Sequence, residues 1–274
     1  MFKFRVLFIF IILSSYEASA TRVKVVTSIT PIASLVSMIA EDKVEISSIA
    51  KDQGCPHHYT MKPSDLKLFQ NVDLFIYIDS KFDSFTDKII PKIQGHILGI
   101  STLDGIRIEN NNWHLWLLPK NAMIILESIT QSLCAISQEN QALFKRNLAV
   151  NLKKMEQLER ERVQSIGNIT QAVLLSDSAE YLFLDTHSNY EKFYQNYENL
   201  SIKARATLLD LKKKGACFIA NNHNSELYRK LLGPDATIAT ISTENWTISN
   251  PLKLLYYREY TEILDTVVRI CSTR

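Results

Sequence analysis

The chain has 274 residues, 46% of them hydrophobic, with 31 basic and 29 acidic side chains and a formal net charge of +2. That balance leaves no electrostatic footprint for nucleic acid or an acidic membrane surface. Glycine is scarce at seven residues and no glycine-rich phosphate loop is visible, which argues against nucleotide binding.

The amino terminus reads Met1-Phe2-Lys3-Phe4-Arg5, then an apolar run from Val6 to Leu13, then Ala18-Ser19-Ala20. A basic start, a short apolar stretch and a small-x-small ending predict a secretory signal over residues 1–20, cut after Ala20. A membrane anchor needs about 18–20 apolar residues, and this run is too short.

From residue 22 the pattern alternates strand and helix. Val23–Thr27 reads as a β-branched strand, and Ser28–Met38 as a helix with Pro31 near its start. Val44–Ile49 is the next strand, followed by a histidine-bearing loop, a short helix Ser64–Phe69 and an apolar strand Val72–Ile78. Helix Phe82–Lys92 and strand His96–Ile100 complete that run. Residues 119–136 look helical. Residues 138–166 form a long charged helix in which Leu143, Leu148, Leu152, Met155 and Leu158 recur at amphipathic spacing. After Gly167 the alternation resumes: strand Ala172–Leu175, helix Ser201–Lys214, strand Cys217–Ala220, helix Ser225–Leu232, strand Thr237–Ile241 and closing helix Pro251–Ile270. Short apolar strands alternating with helices predict parallel sheets with crossovers. The expected fold class is α/β, two lobes with parallel sheets flanked by helices and joined by one long helix. The expected boundaries are 21–137 for the first lobe, 138–166 for the linking helix and 167–274 for the second lobe.

The densest chemistry lies in Cys55-Pro56-His57-His58-Tyr59-Thr60-Met61-Lys62-Pro63-Ser64-Asp65, two adjacent imidazoles in a loop after a strand and before a helix that Ser64 can cap. A second isolated histidine stands in Asn111-Asn112-Trp113-His114-Leu115-Trp116-Leu117-Leu118-Pro119. Neutral imidazole is the commonest side-chain ligand for zinc and related ions. Histidines on loops after strands can converge at the carboxyl edge of a sheet, where α/β proteins bind ligands. Of the cysteines, a pair can form a disulfide in an exported chain, but spacing alone leaves the connectivity open. Cys55 beside His57 and His58 is an alternative metal ligand, and Cys134 in an apolar helical stretch reads as a buried thiol.

These runs together resemble the metal-specific solute-binding proteins of bacterial ABC importers, most closely the zinc-uptake type, from about Val25 to Cys271. Val25-Val26-Thr27-Ser28-Ile29-Thr30-Pro31 resembles the family's first strand and turn. His57-His58-Tyr59 with Lys62-Pro63-Ser64-Asp65 resembles its first histidine loop, and Leu68-Phe69-Gln70-Asn71-Val72-Asp73-Leu74 the joint after it. His114-Leu115-Trp116-Leu117-Leu118-Pro119 resembles its second ligand motif. The resemblance implies His57 and His114 as metal ligands, a linking helix that acts as a rigid strut, and a Cys217–Cys271 disulfide within the second lobe. It also implies a periplasmic receptor, monomeric and not an enzyme, that captures Zn²⁺ as its cargo and delivers it to an inner-membrane permease.

The chain departs from that pattern at two ligand positions. Ser176, in Ser176-Asp177-Ser178-Ala179-Glu180-Tyr181-Leu182, stands where the family carries a histidine; an alternative register offers His187 instead. The fourth position falls on Ser242, with Glu244 two residues on, and Asn221-Asn222 replaces a Glu-Pro pair. Serine is a poor ligand for a divalent cation, and a closed zinc site usually has four donors. Replacement donors are sought in His58, Asp177, His187, His223 and Glu244, with His58 read as a solvent-facing neighbour and His96 as structural or exposed. The serines also motivate the alternative of a family-fold protein that has lost metal capture and binds a partner. A hydrolytic role has little support, since there is no His-Glu-x-x-His helix.

Overall fold

The computed structural model describes residues 22–50, 59–195, 200–244, 246–248 and 251–272. The predicted signal segment and the stretch holding Cys55, His57 and His58 lie outside the described residues.

The first sheet is built on β1 (Val23–Ile29), whose last five residues are buried. It pairs in parallel with β2 (Val44–Ala50) on one side and β3 (Leu74–Tyr77) on the other, and β4 (His96–Gly99) lies beyond β3. Near-continuous apolar strands of this kind are those covered by helices on both faces. The first crossover is α1 (Thr30–Ala40), buried along its whole length, with Pro31 in the first turn, where a missing N–H costs nothing.

Two predicted helices are shorter than their patterns. Ser64 does not cap by its side chain; Asp65 accepts from the Lys62 N–H instead, and Asp65–Phe69 is a 3₁₀ turn. In place of a helix over Phe82–Lys92, residues 78–85 form a turn closed by the Asp83 carboxylate, which accepts from Ile78 N–H at 2.7 Å. Only α2 (Thr86–Ile89) is α-helical. A 3₁₀ turn, Ile90–Lys92, comes next because Pro91 has no N–H with which to continue the ladder.

Between the sheets run α3 (Pro119–Ile136) and α4 (Gln141–Gly167). The amphipathic spacing located the apolar stripe of α4 only partly, since Phe144, Met155, Leu158 and Ile166 are buried together with polar Asn147, Asn151, Glu159 and Arg162. The polar residues have definite tasks. Asn147 and Asn151 donate to the carbonyls of Ile39 and Met38 at 2.9 and 3.0 Å, and so satisfy last-turn acceptors of α1. Arg162 pairs through Nε and Nη2 with Glu159 and donates through Nη1 to the carbonyls of Leu182 and Leu184 at 2.8 and 2.7 Å. The helix is thus pinned by hydrogen bonds to a lobe near each end, as a stiff strut requires.

The second sheet joins β5 (Ala172–Leu174), β6 (Tyr190–Lys192), β7 (Cys217–Asn221) and β8 (Ile238–Ile241) in the order β6-β5-β7-β8, all parallel. That order repeats the β2-β1-β3-β4 order of the first sheet. Edge strand β6 carries two exposed polar residues, Glu191 and Lys192, so it leaves no apolar signature in the sequence. A 3₁₀ turn, Asp177–Ala179, and α5 (Glu180–Phe183) come after β5. Helices α6 (Ile202–Lys213), α7 (Ser225–Leu232) and α8 (Leu255–Cys271) complete the lobe. Cys217, opening β7, is disulfide-bonded to Cys271, closing α8, with Cα atoms 5.4 Å apart. Cys134 is free and only partly buried, not sealed in the core. One apolar core runs from Val25 and Leu35 through Phe144 and Met155 to Ile219 and Tyr256, so the strut is embedded in both lobes. Among the described residues no helix is long and apolar enough to cross a membrane.

Candidate metal site

In each sheet the crossovers leave the first strand in opposite directions, which places a switch point at the carboxyl edge between β1 and β3 and between β5 and β7. The three residues after His114 hold it in place. Leu115, Trp116 and Leu117 form a fully buried 3₁₀ turn, which leaves the imidazole no freedom to swing outward. The ring, 2% exposed, lies edge-on to Phe82 with centroids 5.7 Å apart and tilted against Trp116 at 5.4 Å.

Glu244 arrives from the other lobe. After β8 ends at Ile241, Trp116 Nε1 donates to the Thr243 carbonyl and Trp246 Nε1 to the Ser242 carbonyl, each at 3.0 Å. Two indoles therefore fix the segment that carries the carboxylate. Its Oε1 lies 2.5 Å from His114 Nε2, and both side chains are buried. Burial disfavours a charged imidazole, but the bond to Glu244 and the charges of Glu244 and Asp177 outweigh it and hold the His114 pKa above its ordinary value. An imidazole nitrogen and a carboxylate oxygen converging on one point are both zinc donors.

The edge of the second sheet adds a polar floor. Ser176 Oγ accepts from the Ser178 N–H and lies 2.9 Å from Ser178 Oγ, so the residue at the family's histidine position caps the turn after β5. Asn221 Nδ2 donates to Thr243 Oγ1 at 3.2 Å and to Ser178 Oγ at 3.4 Å. Asp177 gives its carbonyl to Asn112 Nδ2 at 2.7 Å, and its charge acts on His114.

Of the residues singled out in sequence, His114 and Glu244 come together, and Asp177 stands near them through its carbonyl on Asn112. His187 does not: it is exposed, precedes β6 and backs onto Gly167, which puts it at the amino edge of the sheet. His223 is exposed in the turn before α7 and donates its N–H to Asn221 Oδ1. His96 is exposed at the start of β4. Ser242 uses its carbonyl on Trp246. Among the described residues no group of three His, Cys, Asp or Glu side chains gathers as a metal cluster. The stretch with His57 is entered from Tyr59, whose hydroxyl donates to Asp65 at 2.7 Å. Asn112 was not anticipated. Its oxygen accepts from the His114 N–H two residues on, a local bond that Asn readily makes and that its place in the chain could have suggested.

Two parallel α/β lobes on an embedded strut, with polar side chains of both meeting at facing strand ends, define the metal-binding receptors that serve ABC importers. The family model described as zinc-uptake complex component A, periplasmic, matches residues 25–231. The chain belongs to this ZnuA family. It is 35% identical over 263 residues to an uncharacterised protein of Rickettsia prowazekii, covering 95% of this chain and 86% of that one. It is 27% identical over 171 residues to the manganese ABC transporter substrate-binding lipoprotein PsaA of Streptococcus pneumoniae, covering 57% of this chain and 55% of that protein. In fold it is similar to the periplasmic zinc binding protein TroA from Treponema pallidum. That match has a TM-score of 0.76 at 15% identity and covers 92% of this chain and 100% of the other.

Proposed function

We propose that this protein captures Zn²⁺ in the cleft between its lobes and delivers it to the permease of an ABC importer, acting in the periplasm after removal of residues 1–20. The observation that carries the reading is the pairing of His114 Nε2 with Glu244 Oε1 across the lobes. Metal entry displaces the proton shared by the two side chains to solvent and replaces that contact with two bonds to the cation, and His57 is the second imidazole donor. Asp177 adds negative charge nearby. Two imidazoles favour zinc over manganese, which prefers oxygen donors. In this reading Glu244 takes over from the serine at position 242, and Ser176 is structural.

Calorimetric titration of the metal-free protein with zinc, with manganese in parallel, tests it. One-to-one zinc binding that is tighter than manganese binding, and lost in His57→Ala/His114→Ala, is the expected result. Absence of zinc binding at micromolar concentration overturns it. Delivery is tested by zinc-dependent stimulation of ATP hydrolysis in the reconstituted importer, and no stimulation by the zinc-loaded protein overturns that half.

A further inference from the structure

Asn112 stands between the two lobes at hydrogen-bond distance from both. Its Nδ2 donates to the Asp177 carbonyl of the second lobe at 2.7 Å. A carbonyl cannot donate, so this contact fixes which end of the amide is nitrogen. The oxygen must then face His114, where it accepts from the backbone N–H at 3.1 Å and lies 2.8 Å from Nδ1. Since Oδ1 can only accept, Nδ1 carries its hydrogen. Nε2 is therefore the nitrogen left to bind a metal; in the metal-free protein it shares a proton with Glu244 Oε1, and metal entry displaces that proton. Asn112 is itself 3% exposed, and Tyr181 Oη, from α5, donates to its carbonyl at 2.8 Å. Both the side chain and the backbone of this one residue are thus tied to the second lobe.

We propose that Asn112 is the positioning residue of the metal site: it selects the Nδ1–H tautomer of His114, aims Nε2 at the cation, and ties that orientation to the Asp177 turn of the opposite lobe. The proposal rests on the reading of His114 as a ligand. Outer partners of ligating histidines commonly have this role, and their loss weakens metal binding by about 10- to 100-fold. The sequence of contacts also links lobe position to ligand geometry, because any opening that moves Asp177 from the His114 loop removes the hydrogen bond that orients the amide.

The test compares Asn112→Ala, Asn112→Asp and His114→Ala in the full chain by zinc competition against a chromogenic chelator. The ¹⁵N resonances of the His114 ring are followed in the zinc-loaded protein, and near-UV circular dichroism checks the fold. Asn112→Asp keeps an oxygen acceptor for Nδ1–H but loses the donor to Asp177. The expected result is a loss of about 10- to 100-fold in zinc affinity for Asn112→Ala, with the His114 ring nitrogens shifting from Nε2-bound toward a mixture of Nε2- and Nδ1-bound forms. Asn112→Asp keeps the Nε2-bound form and loses less affinity than Asn112→Ala. Wild-type affinity in Asn112→Ala, or an equal loss in Asn112→Asp, overturns the proposal. His114→Ala binding zinc as wild type does would instead overturn the ligand assignment on which it rests.

Discussion

Glu244 Oε1 lies 2.5 Å from His114 Nε2, although 130 residues separate them in the chain. The carboxylate sits two residues past the position where the resemblance places a family ligand, and the Trp116 indole on the Thr243 carbonyl brings it to the imidazole. A one-atom change isolates its part. Glu244→Gln keeps the shape and the hydrogen-bonding capacity toward His114 but removes the charge and one good donor. Zinc affinity should fall by at least about 100-fold, beyond the usual effect of losing an outer partner. Chelator competition measures it, and an unchanged dissociation constant would remove Glu244 from the ligand set.

Asp83 makes stability depend on pH in an uncommon direction. Burial raises its pKa to about 7, against the opposing hydrogen bond from the Ile78 N–H. An unfolded aspartate titrates near 3.9, so between about pH 4 and pH 7 the native state holds a proton that the unfolded chain releases. Stability therefore declines as pH rises through that window and is level above it. Asn at this position keeps an oxygen for the Ile78 N–H and cannot ionise. Asp83→Asn should be more stable than wild type at pH 8 by up to about 4 kcal/mol, with the gap closing toward pH 4. Urea midpoints at the two pH values decide the matter; a gap that stays constant would mean that Asp83 does not change its ionisation on folding.

Arg162 is fully buried, and its guanidinium serves Glu159 and the carbonyls that end α5. Arg162→Ala leaves the Glu159 carboxylate with only the exposed Lys120, at 3.5 Å, and strands those carbonyls. The expected cost is about 3–5 kcal/mol. An exposed pair on the same surface, Arg107 with Asp185, carries far less by the same reasoning, since solvent screens it. Denaturant unfolding of Arg162→Ala and Asp185→Asn side by side would show a large shift only in the first. Equal shifts would contradict the assignment of the strut's anchorage to Arg162.

The Cys217–Cys271 bond closes most of the second lobe, at a sequence separation of 54. Loop-closure entropy assigns it roughly 4 kcal/mol. The Cys217→Ser/Cys271→Ser variant should unfold at lower denaturant by that amount. It should still bind zinc at low temperature, because neither sulfur lies at the His114 site. A variant with wild-type stability would show that the lobe does not depend on the bond.

Much of this protein was legible without coordinates. Apolar strands alternating with helices give the parallel sheets, because strands buried on both faces must be apolar throughout. The ordered motifs around His57 and His114 carried the family, and the resemblance carried the disulfide. Local pattern failed where a side chain answered a distant backbone group. Asp83 replaced helix with turn by accepting from Ile78, and Asn147 and Asn151 entered the core of α4 because α1 ends there with bare carbonyls. Strand β6 was invisible because an edge strand need not be apolar.

The site divides along the same line. The residue types, an imidazole on a loop after one sheet and acidic side chains after strands of another, were written in the chain. Which of them meet was not. His187 and Asp177 are both near-neighbours of β5 in sequence, yet one lies at the amino edge and the other at the carboxyl edge, since α5 carries the chain back across the sheet between them. Glu244 and Asn112 acquired their places only when the two lobes closed on the strut, because a contact spanning 130 residues is set by packing and leaves no periodic trace along the sequence.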